Sequence, residues 1–341
     1  MLLNGWGGLG GTGIIECMRR NPDRRKVRVV CADASPKPVL SIKADGFFIL
    51  PRGDHPSYMD SLVDLCQREG VDVMLPGSGP EIVAISRHLA RIRSEGMAAT
   101  VDEYDRIRPL MDKAEAYRAL QDEDYTPKFE HVADASSLLP AIHRMGYPEY
   151  PVCFKPSSYV ASGGSRGFRV LRKSNDAMTP VVSSDEIDYG SVSRMSETKK
   201  RLDLLVMEYL PGREFSTYTL SNHGKMVYCV PNLRECMVGP RTFEASTMPA
   251  DDKITNICKS IVEKFGLSYN TNIQLKESVD GKLKLVEINP RMGGSIALPA
   301  AAGINLPYMA VKMALGEPVP QNLKQARIRM IRYVSELFVE V

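Results

Sequence analysis

The chain of 341 residues is too long for one small core and points to two or three domains. Its 44 basic and 41 acidic residues leave a net charge of +3, which argues against nucleic acid or an anionic membrane as partner. Seven cysteines without a C-x-x-C pair and five scattered histidines argue against a disulfide framework, a zinc site and a Cys-His nucleophile.

No segment reaches the roughly 18 uninterrupted apolar residues of a membrane span. The amino terminus enters a glycine-rich turn within four residues, so no signal peptide is expected and the expected location is cytoplasmic. Short apolar strands at 1–4, 27–32 and 71–75 alternate with helical patterns such as 58–69, as in a doubly wound α/β sheet. Ligands of such sheets bind beyond the carboxyl ends of the strands. Gly5-x-Gly7-x-x-Gly10, with Asp33 after the second strand, fits the dinucleotide fingerprint, and an NAD-dependent oxidoreductase is one reading. The same glycines serve any strand-to-helix turn that binds an anion on backbone N–H groups. The polar turns at 7–12 and 78–81 suggest a second small ligand.

A helix is expected over 109–121. It carries Lys113, either an ammonium for phosphate or a solvated helix lysine. A strand over 152–155 ends in Lys155 and leads into Ser162-Gly163-Gly164-Ser165-Arg166-Gly167, where missing side chains let N–H groups approach phosphate oxygens. This is no Walker loop, since no Gly-Lys-Ser/Thr opens a helix; between two strands it can fold over phosphates as a lid. A strand resumes over 168–171, and 178–200 reads as a polar surface connection. The buried strand 204–209 brings Glu208, Tyr209 and Leu210 to a turn at Pro211-Gly212, where backbone groups can meet a base edge, and Glu214 follows for ribose hydroxyls. Arg234 and Arg241 lie in a polar stretch, as surface charges or as part of a phosphate or carboxylate cleft.

Helices are expected over 252–265 and 306–315. Between them Asp280-Gly281 marks a two-residue hairpin loop. Pairing Val279 with Lys282 then sets Gln274 opposite Glu287 and Asn272 opposite Asn289, with Ile273, Leu275, Val286 and Ile288 on the other face. The polar face either meets water or gathers oxygen ligands for Mg²⁺ that keeps waters and shares phosphate oxygens. Arg291 stands two residues beyond.

In order and identity these motifs resemble the ATP-grasp superfamily, and within it single halves of the carbamoyl-phosphate synthetase large subunit. The likeness covers nearly the whole chain. Its specific part is the string Glu287-x-Asn289-x-Arg291-x-Gly293-Gly294. The resemblance implies an α/β chain with an amino-terminal Rossmann-like pre-ATP-grasp domain over 1–105 and a two-lobed α+β ATP-grasp domain. That domain divides into a linker helix with the small lid subdomain over 106–207 and a large subdomain with the metal site over 208–341, closing on a strand at Arg332-Tyr333. It further implies Lys113 and Lys155 on ATP phosphates, Gly163 to Gly167 as the lid, Glu208, Tyr209 and Leu210 at adenine, and Glu214 at ribose. Gln274, Glu287 and Asn289 would hold Mg²⁺, or Mn²⁺ in its place, with Arg291, Arg234 and Lys155 as catalytic groups.

The activity so implied is an ATP-dependent carboxylate-amine (or carboxylate-thiol) ligase that joins a small-molecule carboxylate and an amine through an acyl phosphate. A small-molecule kinase and an ATP-binding module remain alternatives. Where many relatives carry Asp four residues after the ribose glutamate, this chain has Tyr218. One ATP-grasp unit is present, so carbamoyl phosphate synthesis is not expected, and a homodimer is only the commonest default.

Overall fold

The computed structural model describes residues 1–7, 10–158, 167–171, 186–198, 200–239, 241–336 and 338. In the first domain β1 (Leu2–Asn4), β2 (Val30–Asp33), β3 (Gly46–Ile49), β4 (Val73–Pro76) and β5 (Ala98–Ala99) form one parallel sheet in the order β3-β2-β1-β4-β5. This is the expected doubly wound layout. Strand β2 starts at Val30 rather than at 27, because the three-residue β1 offers its first partner at Leu2. Helix Tyr58–Glu69 runs as its periodicity predicts, with Gly70 at φ +61° ending it.

One face of this sheet packs on helices Tyr58–Glu69, Gly79–Arg87 and Leu89–Ser94. The other is sealed by residues from far along the chain: Leu3, Trp6, Ile14 and Met18 share a core with Tyr218, Tyr228, Ile296, Leu306 and Met309. Ordering that contact fixes the strand ends of the first domain beside the last third of the molecule.

The second sheet contains β6 (Phe129–Asp134), β7 (Val152–Pro156), β8 (Arg169–Leu171), β9 (Glu186–Ile187) and β10 (Arg201–Glu208), in the order β6-β10-β7-β8-β9. Part of the expected surface connection is a capped helix, Tyr189–Ser196, whose first turn is held by the Asp188 carboxylate. Gly163, Gly164 and Ser165 lie outside the described residues, while Gly167 sits at φ +87° against Pro156.

The third sheet is built from β11 (Glu214–Asn222), β12 (Lys225–Val238), β13 (Arg241–Thr247), β14 (Tyr269–Glu277), β15 (Leu283–Asn289) and β16 (Arg329–Ile331), ordered β15-β14-β11-β12-β13-β16. The stretch read as merely polar around Arg234 and Arg241 is thus two strands. The closing strand ends one residue before Arg332 instead of running through Tyr333. Helix Asp252–Phe265 covers one face. Asp251 caps it, Gly266 ends it at φ +60°, and Ile254, Cys258 and Ile261 recur at helical spacing to bury against Phe215, Ile273, Leu275 and Ile288. No helix among the described residues is long and apolar enough to cross a membrane.

Candidate nucleotide and metal site

Since side chains alternate along a strand, burying Phe215, Ile273, Leu275 and Ile288 under the helix turns Ser216, Asn272, Gln274, Glu287 and Asn289 to the opposite face. Gln274 stands directly across from Glu287, Asn272 from Asn289, and Ser216 from Gln274, so a polar row crosses three strands. That register is the expected one, but the turn is not. The hairpin closes between Ser278 and Lys282, with the Gly281 N–H donating to the Ser278 carbonyl, and a bulge between Gln274 and Leu275 restores the pairing at the site.

Two cavities meet at this row. One, of ≈ 290 Å³, is lined by Lys113, Lys155, Cys153, Met207, Leu210 and Val286, with Glu208, Tyr209 and Glu214 at its wall. The other, of ≈ 210 Å³, is lined by Arg241, Arg291, Arg332, Tyr218 and Ser295. Arg234, Gln274 and Glu287 belong to both.

Glu287 is the hinge of the electrostatics. Lys113 is not a solvated helix lysine. The expected helix breaks at Asp112, which accepts hydrogen bonds from the Ala114 and Glu115 N–H groups and from Ser157 Oγ (2.5 Å), and this break turns Lys113 inward. Its Nζ lies 3.4 Å from Glu287 Oε1, with both side chains buried. Lys155 Nζ donates to the Val286 carbonyl (2.7 Å) and to the Tyr117 hydroxyl (3.2 Å), while Tyr117 donates back to the same carbonyl at 2.8 Å. Burial, opposed by Glu287 and reinforced by Lys113, pulls the Lys155 ammonium down to about 8. For Glu287, burial pushes the carboxyl up, but Lys113, Lys155, the Asn289 amide and Arg291 outweigh it and hold it below the usual range.

The remaining expected residues fall around this centre. Asn289 Nδ2 donates to Glu287 Oε2 (3.2 Å), and its Oδ1 accepts from Arg291 Nη2 at 3.4 Å. Gln274 Nε2 donates to Asn272 Oδ1 (3.3 Å). Glu208 uses its carboxylate to hold the Lys128 N–H (2.8 Å), which fixes the exit of β10 where Tyr209 and Leu210 follow. Glu214 lies between two cations in a cross-strand row, ion-paired with Arg234 and 3.7 Å from Lys276. Arg234 is accordingly no surface charge; it joins Glu214 to Thr242, which its Nε meets at 2.8 Å.

Sequence reasoning missed Arg332 and Tyr218 as wall residues, and Tyr117 as the buried partner of Lys155. Arg332 Nη2 donates to the Gly294 carbonyl (2.6 Å) and its Nε to the Thr242 carbonyl (2.9 Å). Tyr218 accepts the Ser295 N–H at 3.1 Å. A Cβ at Gly293 would come within 2.9 Å of the Tyr218 ring and 3.0 Å of the Asn272 amide carbon. Both neighbours are buried, so Gly293→Ala should cost about 1–3 kcal/mol in stability and displace Asn272, which accepts from Gln274. Thermal melting of the variant checks this; an unchanged midpoint would mean that the close approach is not needed.

Among the described residues no three His, Cys, Asp or Glu side chains gather as a metal cluster. The donor set is one carboxylate, Glu287, with the amide oxygens of Asn289 and Gln274, all hard and of low total charge. It suits Mg²⁺, which keeps waters and takes phosphate oxygens as further ligands, and it does not suit a metal that needs nitrogen or sulfur.

Comparison with known families matches residues 200–337 to "ATP-grasp in the biosynthetic pathway with Ter operon" and residues 11–100 to "PylC-like, N-terminal domain". No curated protein sequence matches the chain. Among solved structures it is similar to N5-carboxyaminoimidazole ribonucleotide synthetase from Thermus thermophilus, at 14% identity and a TM-score of 0.69 over 97% of this chain and 82% of that one. It is likewise similar to L-amino acid ligase from Bacillus licheniformis, at 15% identity and a TM-score of 0.64 over 92% and 73%. A third is the biotin carboxylase domain of Hydrogenobacter thermophilus 2-oxoglutarate carboxylase in complex with MgADP, ADP and bicarbonate, at 17% identity and a TM-score of 0.64 over 95% and 71%. The chain therefore carries an ATP-grasp match over residues 200–337 behind a PylC-like match over 11–100, and over nearly its whole length it has the fold of these ATP-grasp structures.

Proposed function

We propose that the protein is an ATP-dependent carboxylate-amine ligase acting through an acyl phosphate on a small-molecule carboxylate. The observation that carries this reading is the meeting of two cavities at Glu287: an apolar-walled one with two buried lysines, and one ringed by arginines. The first suits a nucleoside triphosphate. Lys113 and Lys155 would contact its phosphates, Leu210 and the backbone around Glu208 and Tyr209 its base, and Glu214 its ribose. The second suits a carboxylate, which Arg291, Arg241 and Arg332 would orient toward the γ-phosphorus.

Glu287, Asn289 and Gln274 would hold Mg²⁺, or Mn²⁺ in its place, which when bound neutralises charge on the β and γ phosphates. The protein's own work is positioning and charge neutralisation. The carboxylate oxygen attacks the γ-phosphorus as ADP leaves, giving the acyl phosphate. An amine then attacks the acyl carbon and phosphate departs, with Arg291 and Arg234 beside the oxyanion. In this reading residues 1–105 help to hold the small substrates, 106–207 include the small subdomain over the nucleotide, and 208–341 carry the metal ligands. Seven free thiols, most of them buried, fit the cytoplasm.

The dinucleotide reading loses its acid. Asp33 accepts from the Gly7 N–H (3.1 Å) and the Ser35 N–H (3.2 Å), and Lys37 lies 3.5 Å away with its side chain across Gly7. The deciding experiment is ADP release from Mg-ATP against a panel of carboxylic acids, with and without hydroxylamine. Hydroxamate formed with one acid is the expected result. ADP without hydroxamate would replace the ligase with a kinase, and neither product would leave a binding module.

A further inference from the structure

A second concave site lies away from the nucleotide cleft. Helix Gly11–Arg19 starts beside Gly294, whose Cα an added Cβ on Gly10 would approach to 3.2 Å, and its nine residues carry the chain roughly 13 Å from there. At the far end is a cavity of ≈ 470 Å³, larger than either cavity at Glu287. It is lined by Asn21 and by five cations within residues 19–26: Arg19, Arg20, Arg24, Arg25 and Lys26.

Like charges gathered so closely repel one another, and the loop that carries them is braced from both sides. Asn21 is buried; its Nδ2 donates to the Met18 and Arg25 carbonyls at 2.7 Å each, and its Oδ1 accepts from the Arg25 N–H at 2.9 Å. Arg24 is held at φ +52°, a conformation costly for a residue with a side chain, with its N–H donating to the Asn21 carbonyl at 3.1 Å. Asp23 accepts from the Tyr308 hydroxyl (3.0 Å) and Lys312 Nζ (2.7 Å), which fastens the loop to helix Leu306–Ala314.

The acids around the basin are already engaged. Glu16 pairs with Arg20 at 3.2 Å and Asp45 with Arg19 at 3.3 Å, Glu317 accepts from both Nη atoms of Arg25 at 2.9 and 2.8 Å, and Asp23 holds Lys312. Among the described residues Arg24 and Lys26 have no acidic partner. Two cations are thus in surplus on a rigid, concave, arginine-rich loop. We infer that this basin binds a small polyanion with two or more phosphate groups, at a site separate from the nucleotide cleft. Guanidinium forks match phosphate oxygens, and only a ligand with several charges in few atoms answers both surplus cations at once. Single-stranded nucleic acid fits less well, since it is held by cations that track along a groove with aromatic rings between them. The inference does not rest on the ligase reading.

The probe is inorganic tripolyphosphate, titrated calorimetrically into the full chain without divalent cations. At 0.15 M NaCl, attraction beyond about 8 Å is screened. Because the lysines of the nucleotide cleft can also take phosphate, Lys155→Met serves as the reference and should still bind the probe. Adding Arg24→Gln and Lys26→Gln to it should weaken that binding by at least about tenfold, the worth of one charged hydrogen bond, and each change alone should give part of the loss. In the wild-type background the pair Arg24→Gln, Lys26→Gln should melt no lower than wild type, because it relieves like-charge crowding.

Binding lost in Lys155→Met alone would put the anion in the nucleotide cleft and overturn the assignment. So would binding that survives both substitutions in the loop, or none at 0.15 M NaCl. Preference for an oligoglutamate peptide or a single-stranded oligonucleotide of equal charge would replace the small ligand with a macromolecular partner.

Discussion

Glu287→Gln is expected to lower ATP-dependent turnover by about 10²–10³, equivalent to about 2.7–4 kcal/mol of lost transition-state stabilisation. The substitution keeps the shape of a buried side chain and removes the one carboxylate that lies 3.4 Å from Lys113 and faces Lys155. Two consequences separate this from a general loss of fold. The first is thermodynamic: removing one partner of a buried pair leaves the other charge uncompensated, a loss of about 3–5 kcal/mol where the remaining charge cannot neutralise. Here Lys155 already titrates at about 8. Without Glu287 to support its ammonium it sheds the proton more readily, so the melting temperature of the variant should fall at neutral pH and recover toward wild type above about pH 8. The second is divalent dependence. The variant should need more Mg²⁺ for half-maximal ADP formation, since Asn289 and Gln274 alone carry no charge. Turnover within a few-fold of wild type, at unchanged Mg²⁺ demand, would remove Glu287 from the proposed metal ligands.

The parts of this arrangement that were legible in the sequence are those that local chemistry dictates. Alternation along 271–276 and 285–291 placed Gln274, Glu287 and Asn289 on one face whatever the loop between them, and the structure gathers them there. The turn itself was misread because Asp280-Gly281 is a two-residue signal within a longer loop, and only the bulge next to Gln274 reconciles the two registers. Hairpin β11–β12 went unseen although His223-Gly224, both at positive φ, make a tight turn between alternating residues. Pro231 in the middle of β12 argues against a strand, and here it sits opposite Thr217 within the ladder. The place of Arg332 in the cavity wall had no local signal: it depends on long-range packing against the Gly294 loop, which no periodicity encodes. Lys113 was ambiguous for the same reason: the break that turns it inward is stabilised by Ser157, 45 positions away.

In the ligase proposed above, nucleotide affinity should fall as pH rises through about 8, with Lys155 as the group responsible. Its folded value lies below the 10.5 of a free lysine, chiefly through burial. Between those values the folded chain has released a proton that the unfolded chain retains, so stability rises with pH across the window, the opposite of a salt-bridged lysine. Binding runs the other way. Phosphate oxygens need the ammonium, so the full affinity for ADP is present below about 8 and is lost above it, by up to tenfold per pH unit and roughly 30-fold by pH 9.5. Calorimetric titration with ADP from pH 7 to 9.5 measures this directly. Lys155→Met should bind weakly at every pH with no such slope. Lys155→Arg cannot lose its proton in this range and should also bind without the slope, whatever its affinity. Wild-type affinity that stays constant to pH 9.5, or a slope that survives in Lys155→Met, would move the phosphate contact away from Lys155. The proton balance follows from one arrangement: the two buried lysines flank a single carboxylate, and a polyanion entering between them supplies the charge that burial withholds.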